Sequence, residues 1–323
     1  MNSITTFGWL VRREYWESRR GFLWAPFWAA AAIIIITILG IIAGEVMKAR
    51  IGTEHVYMGG ASLSQMLSDA SANDIGQFVK MLDATMLLFG SIVAVVLSFV
   101  VFFYLLGALY DDRKDRSILF WKSLPLSDTG TVLSKAFAGI IVAPLIAVGV
   151  ALAGYIVTQI IVSIWLGAHG VNPFGFVWGH VEPFSVWLHM LAMVPVDAVW
   201  ALPTVGWLLL WSSAVRSKPF LWAIIIPAVA GLLNIWVGLL GLPHISQDFY
   251  WGQIAARLLL SVVPGGWMNP ENASHTMHYG ELSAISYPAM GQAFTTPEMW
   301  IGAAVGVALI AAAIWFRRWR DEA

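Results

Sequence analysis

The sequence predicts an all-α membrane protein with six transmembrane helices, and three observations predict it. Hydrophobic residues make up 59% of the chain and charged ones only 11%, with a mean hydropathy of +0.75, whereas soluble domains carry about 25% charged residues. The apolar residues gather into six runs of 18 to 31 residues, each long enough to cross most or all of roughly 30 Å of hydrocarbon at about 1.5 Å per residue. Basic residues concentrate in alternate connections between the runs. In hydrocarbon every backbone polar group must be bonded internally, so spans of this composition are helices.

Residues 1–21 form an N-terminal amphipathic interfacial helix. Ile4, Phe7, Leu10, Val11 and Tyr15 share one helical face, with Arg12, Arg13, Arg19 and Arg20 largely on the other, the pattern of a helix lying in the membrane surface. Residues 22–323 form a single six-span transmembrane domain. Gly21 and Pro26 mark a bend into the first span, 22–44, whose apolar length exceeds that of a cleaved signal peptide. Residues 45–84 are a polar connection in which Asp74 is placed to cap a short helix. The second span, 85–109, ends at a charged island, Asp111 to Lys135. The third, 136–166, carries Pro144 as a kink site and takes up its excess length by tilting. A loop without lysine or arginine leads to the fourth span, 186–211, which is interrupted by Pro195 and Pro203; Arg216 and Lys218 stand between it and the fifth, 220–241. Within the long segment 242–298, Phe249 to Val263 is apolar enough to enter the bilayer and too short to cross it. It reads as a re-entrant external helix turned back by Pro264-Gly265-Gly266. The last span, 299–316, is followed by Arg317, Arg318 and Arg320.

Six spans put both termini on one side. That side also holds the island and 14 of the 18 lysines and arginines, so the positive-inside rule makes it cytoplasmic and turns 45–84 and 242–298 outward.

The chain excludes several chemistries. It has no cysteine, hence no disulfide, thiolate site or Cys nucleophile. It lacks G-x-x-x-x-G-K-[ST], H-E-x-x-H and G-x-S-x-G, so it carries no phosphate-cradling loop of its own and none of the common hydrolytic signatures. Nothing in it points to nucleic acid. His275, Met277 and His278 form the one local set of soft and imidazole ligands, suited to copper. External loops hold most polar residues anyway and Met is a common apolar filler, so no metal site is assigned. Asp197 is the one carboxylate deep in a span, where an ionised group costs roughly 2.5 to 3.5 kcal/mol unless it faces water or protein. It is a pathway or gate candidate, or else a structural aspartate bonded to backbone groups freed by the prolines; Asn234 in the fifth span poses the same question. Gly302 and Gly306 permit a close helix approach, within the chain or between copies.

The island DDRKDRSILFWKSLPLSDTGTVLSK has an internal order: a charged run from Arg113 to Arg116, a small apolar helix from Ile118 to Leu124, a Pro125-Leu126-Ser127 turn, then Lys135 entering a span. This order resembles the first cytoplasmic loop of the type-2 ABC transporter permeases, membrane subunits of bacterial exporters, although Arg116-Ser117 stands where many members have Gly-Thr. The resemblance implies a permease subunit in the bacterial inner membrane. It would pair with a second copy or paralogue and be driven by separate cytoplasmic ATPase subunits that bind the ATP and Mg. It also implies a coupling helix, with Asp112, Arg113, Arg116, Ile118, Leu119, Phe120, Trp121, Leu124 and Pro125 forming the ATPase-docking loop and the re-entrant helix part of an external gate. No cofactor is expected in this chain, membrane lipid surrounds it, and the transported substrate is not readable. A non-transporting membrane scaffold using the same loop, or an intramembrane enzyme, stay open as alternatives.

Overall fold

The computed structural model describes residues 3–51, 72–115, 126–174, 178, 183–268 and 286–319, and among them every regular element is helical. Helix α1 (Ser3–Arg19) passes through a π-helical turn (Arg20–Trp24) into α2 (Ala25–Ile51). Helix α3 (Ala72–Ala108) is followed by the short α4 (Tyr110–Lys114). Helix α5 (Asp128–Phe137) runs through π-helical residues Ala138–Val142 into α6 (Ala143–Ala168). Then come α7 (Pro183–Ala214) and α8 (Pro219–Leu239). A composite helix α9 joins Gln247–Phe249, a π-helical stretch Tyr250–Ala255 and Ala256–Leu259. The chain closes with α10 (Tyr287–Ala293) and α11 (Pro297–Trp319). By length and composition six helical stretches among the described residues are able to cross a membrane: Thr5–Met47, Ala84–Lys114, Asp128–Ala168, Phe184–Ala214, Pro219–Leu239 and Pro297–Trp319. This is the make-up of a multi-pass integral membrane protein.

The helices differ from the sequence expectation where backbone hydrogen bonding finds another register. Gly21 and Pro26 do not break the chain: the π turn carries α1 into α2, and Pro26 sits in the first turn of α2, where a missing N–H costs little. At Pro144 the π-helical stretch just before α6 takes up the proline without ending the helix. Asp74 falls inside the first turn of the long α3 and not in a separate short helix. Helix α8 stops at Leu239, two residues early, and the chain turns through Gly241 at φ +71°, a conformation glycine adopts without a Cβ penalty. The apolar segment expected to be helical to Val263 is helical only to Leu259. Beyond it, the Ser261 amide donates to Thr204 Oγ1 (3.0 Å), and Ser98 Oγ donates to the Val262 carbonyl (3.3 Å).

The core forms where α3, α6, α7 and α11 meet, built from Val93, Leu97, Val101, Leu105, Ala147, Ala151, Val205, Leu208, Leu209 and Ile310. Helices α7 and α11 approach most closely. A side chain at Gly206 would meet the Gly306 carbonyl, and one at Gly306 would meet the Leu202 backbone. The small residues of the last span therefore serve packing inside this chain. Helices α2 and α8 lie at the periphery and present Ile35, Ile36, Leu39 and Ile42, and Leu232, Leu233, Trp236 and Leu239, outward.

Candidate functional site

At one end of the bundle the amphipathic α1 turns a carboxylate inward. Glu14 lies on the same face as Leu10 and is 1% exposed. It accepts from Lys135 Nζ (3.2 Å) at the end of α5, from the Tyr104 hydroxyl (2.9 Å) in α3, and from Arg13 beside it. Lys135, itself 3% exposed, also reaches Asp112 of α4 at 3.5 Å. Asp112 in turn faces Arg317 of α11 at 3.4 Å, and Arg317 donates through Nε to Asp128 of α5 at 3.2 Å. Two buried cations and three carboxylates thus alternate, each charge held by opposite charges from other helices. Such a cluster is stable only while every member keeps its partners.

A reciprocal cap adjoins this node. Ser212 Oγ, near the end of α7, accepts from the amides of Leu109 (2.9 Å) and Tyr110 (3.0 Å) at the start of α4. Arg113 of α4 donates through Nη2 to the carbonyls of Ser212 (2.6 Å) and Val215 (2.9 Å). A helix C-terminus leaves carbonyls unbonded and carries partial negative charge, so a buried guanidinium satisfies both needs. The node and the cap fix both ends of the polar island to α1, α3, α7 and α11.

A second polar centre lies within the bundle. Asp197 of α7 accepts through Oδ1 from the Gly265 amide and from Trp267 Nε1, each at 2.9 Å, so it pins the turn that follows α9. One helical turn further along α7, the Trp200 ring lies 3.4 Å under the Arg257 guanidinium of α9. Arg257 is 8% exposed. Its Nη2 donates to the Glu298 carbonyl at 3.3 Å, and its Nη1 has no hydrogen-bond partner. Gly302 of α11 leaves the space the guanidinium fills, with Pro203 beside it. Thr204 Oγ1 and Ser261 Oγ donate to the Arg257 carbonyl at 2.9 and 2.7 Å. Pro203 stands eleven residues before Ala214 at the charged end, roughly 16 Å at the α-helical rise, and Glu298 stands in the first turn of α11 at the opposite end, so Arg257 lies between the middle of the bundle and its uncharged end. Trp200 also belongs to an apolar cluster rich in methionine and aromatics, with Met193, Met290, Met299, Trp267 and Phe294.

The residues singled out from sequence are distributed unevenly. Asp112 and Arg113 point into the protein, in the node and the cap. Arg116, Ile118, Leu119, Phe120, Trp121, Leu124 and Pro125 lie outside the described residues, as do His275, Met277 and His278. Among the described residues no group of three His, Asp or Glu is placed to hold a metal. Asp197 is half-buried and bonded to the turn after α9, not to backbone freed by Pro195 or Pro203. Asn234 holds the chain after α8 by exchanging two hydrogen bonds with the Ile245 backbone, at 2.8 and 3.0 Å, which is a local clamp. Sequence reasoning missed Glu14, Arg317 and Arg257 as site residues. Glu14 carried a signal, lying four residues after Leu10 on the apolar face of α1, and Arg257 carried another as the lone charge in an apolar stretch. Compared with known proteins, the chain matches no family model, no curated protein and no solved structure.

Proposed function

We propose that this chain is the permease subunit of an ATP-binding cassette transporter of the exporter type, working as a dimer and driven by separate ATPase subunits. The observation that carries this reading is the attachment of the polar island. Residues on both sides of 116–125 enter one buried ion-pair node: Asp112 before it, Asp128 and Lys135 after it. A push on that loop is thereby passed to α1 through Glu14, to α11 through Arg317 and to α7 through the Arg113 cap. An exposed loop with no mechanical duty needs no such connections.

On this reading the charged end faces the cytoplasm, as the distribution of basic residues favours, and the membrane is the bacterial inner membrane. Helix α1 lies in its surface and braces the first span. Helix α9 and the turn at 264–267 re-enter from outside and form part of the external gate, with Asp197 as the latch that holds that turn. The loop 116–125 supplies the docking helix, Phe120 and Trp121 being its anchors, since large aromatics dominate interface energetics. Co-purification of the chain with its candidate ATPase from detergent tests this assignment. Retention that is lost in Trp121→Ala and kept in Lys114→Ala supports it, and failure of wild type to retain any ATPase overturns it.

A further inference from the structure

We propose that Arg257 forms an anion-binding site inside the bundle, and that it receives the carboxylate or phosphate head of an amphipathic molecule. An arginine stays charged in a protein, and a charged group at bilayer depth marks a functional site whose partner has to be found. Among the described residues no carboxylate makes a direct ion pair with Arg257; it has the Trp200 face, one long bond to the Glu298 carbonyl, the through-space attraction of the Glu298 carboxylate, and an Nη1 with no hydrogen-bond partner. Arg317 meets two carboxylates, and Arg113, whose Nη1 also has no hydrogen-bond partner, is held through Nη2 by two short bonds to helix-terminal carbonyls; Arg257 has neither support. An oxyanion at Nη1 would supply the missing acceptor and the missing charge.

The surroundings select the rest of the ligand. Trp200 carries the guanidinium and also packs against the cluster that holds Met193, Met290, Met299 and Trp267. Thioethers and indoles adapt to apolar bodies of varied shape, so the head is read by charge and the body by buried side chains, Met290 and Met299 among them, that repack around it. The rigid setting of Arg257 serves the same end. Its carbonyl is held by Thr204 and Ser261, and Gly302 and Pro203 border the guanidinium. The fork is therefore pre-positioned and little side-chain freedom is lost on binding. That the ligand is transported cargo rests on the permease reading; that it binds here does not.

The test uses the full chain, without any ATPase, in discs of uncharged phosphatidylcholine. The probe is 11-(dansylamino)undecanoic acid, compared with its primary amide, and inorganic phosphate is added as a competitor. Saturable binding of the acid above empty discs is expected, with the amide weaker by roughly ten- to a hundredfold, the range for a hydrogen bond to a charged group. Arg257→Gln should remove that difference and Arg257→Lys should keep part of it. Wild type that binds acid and amide equally would overturn the proposal with no variant needed, as would Arg257→Gln that folds and keeps the preference for the acid. Displacement of the acid by inorganic phosphate alone, at concentrations matching its own affinity, would refute the requirement for an apolar body. Because binding is read on the permease alone, loss of ATP-driven movement with intact acid binding would count against the transporter reading and not against the site.

Discussion

Replacing Lys135 by methionine tests the ion-pair node. The substitution keeps most of the side-chain volume and removes the ammonium that Glu14 and Asp112 share, at 3.2 and 3.5 Å. Lys135 and Glu14 are 3% and 1% exposed, so solvent screening does little to soften the loss. Removing one partner of a buried pair costs about 3 to 5 kcal/mol, because the other charge is left buried and uncompensated. Glu14 keeps Arg13 and Tyr104, and Asp112 keeps Arg317, which places the expected cost at the lower end, about 3 kcal/mol. The measurement is the unfolding midpoint of purified protein titrated with sodium dodecyl sulfate in mixed micelles. Glu14→Gln combined with Lys135→Met should cost less than the sum of the two single changes by about 1 to 3 kcal/mol, as coupled neighbours do. A Lys135→Met protein within about 0.5 kcal/mol of wild type, or strict additivity in the double variant, would refute the claim that these charges hold α1 to α5.

Three further outcomes are expected. Gly306→Leu should drive a side chain into the Leu202 backbone and destabilise the α7–α11 contact by about 1 to 3 kcal/mol in the same titration; an unchanged midpoint would mean the helices are not in close contact. Asp197→Ala removes the acceptor of Gly265 and Trp267, so amide exchange at 265–268 should accelerate by roughly tenfold or more while exchange at the ion-pair node stays as in wild type, and Asp197→Asn should fall between the two. Thiol labels introduced at Ser117 and Ala323 should react from the cytoplasm and labels at Ser71 and Ala273 from outside, and a Ser117 label reached only from outside would reverse the orientation.

Much of the fold was legible because a span advertises itself locally. Twenty or so apolar residues leave few alternatives in a bilayer, and each of the six expected runs falls within a helical stretch, apart from Leu109 between α3 and α4 and the two residues at the end of α8. The π-helical turns were not legible. They depend on how the chain near Gly21 and Pro144 resolves its backbone bonds against neighbouring helices, and Gly21 packs against Val100, far away in sequence. The polar centres were half legible. Asp197 was visible as a deep carboxylate, but its partners Gly265 and Trp267 come from a segment nearly 70 residues away. Glu14 and Lys135 are 121 residues apart, and no local pattern announces that a glutamate in a basic helix faces a lysine on entry to the third span. Arg257 was assigned to the outside because its segment is too short to cross, and only the packing of α9 against Trp200 and Gly302 shows how deep it lies.

Central to the proposed function is whether the polar island transmits ATP hydrolysis to the bundle. The most direct measurement is ATP turnover by the chain reconstituted with its candidate ATPase in lipid discs, compared between wild type, Trp121→Ala and Lys114→Ala. If Trp121 anchors the loop, its truncation should weaken docking by roughly 2 kcal/mol or more and abolish coupled turnover at concentrations where wild type is assembled. Lys114→Ala, an exposed charge whose pairs are worth about 0 to 1 kcal/mol, should leave turnover close to wild type. Equal turnover in wild type and Trp121→Ala, with the ATPase bound in both, would contradict the account.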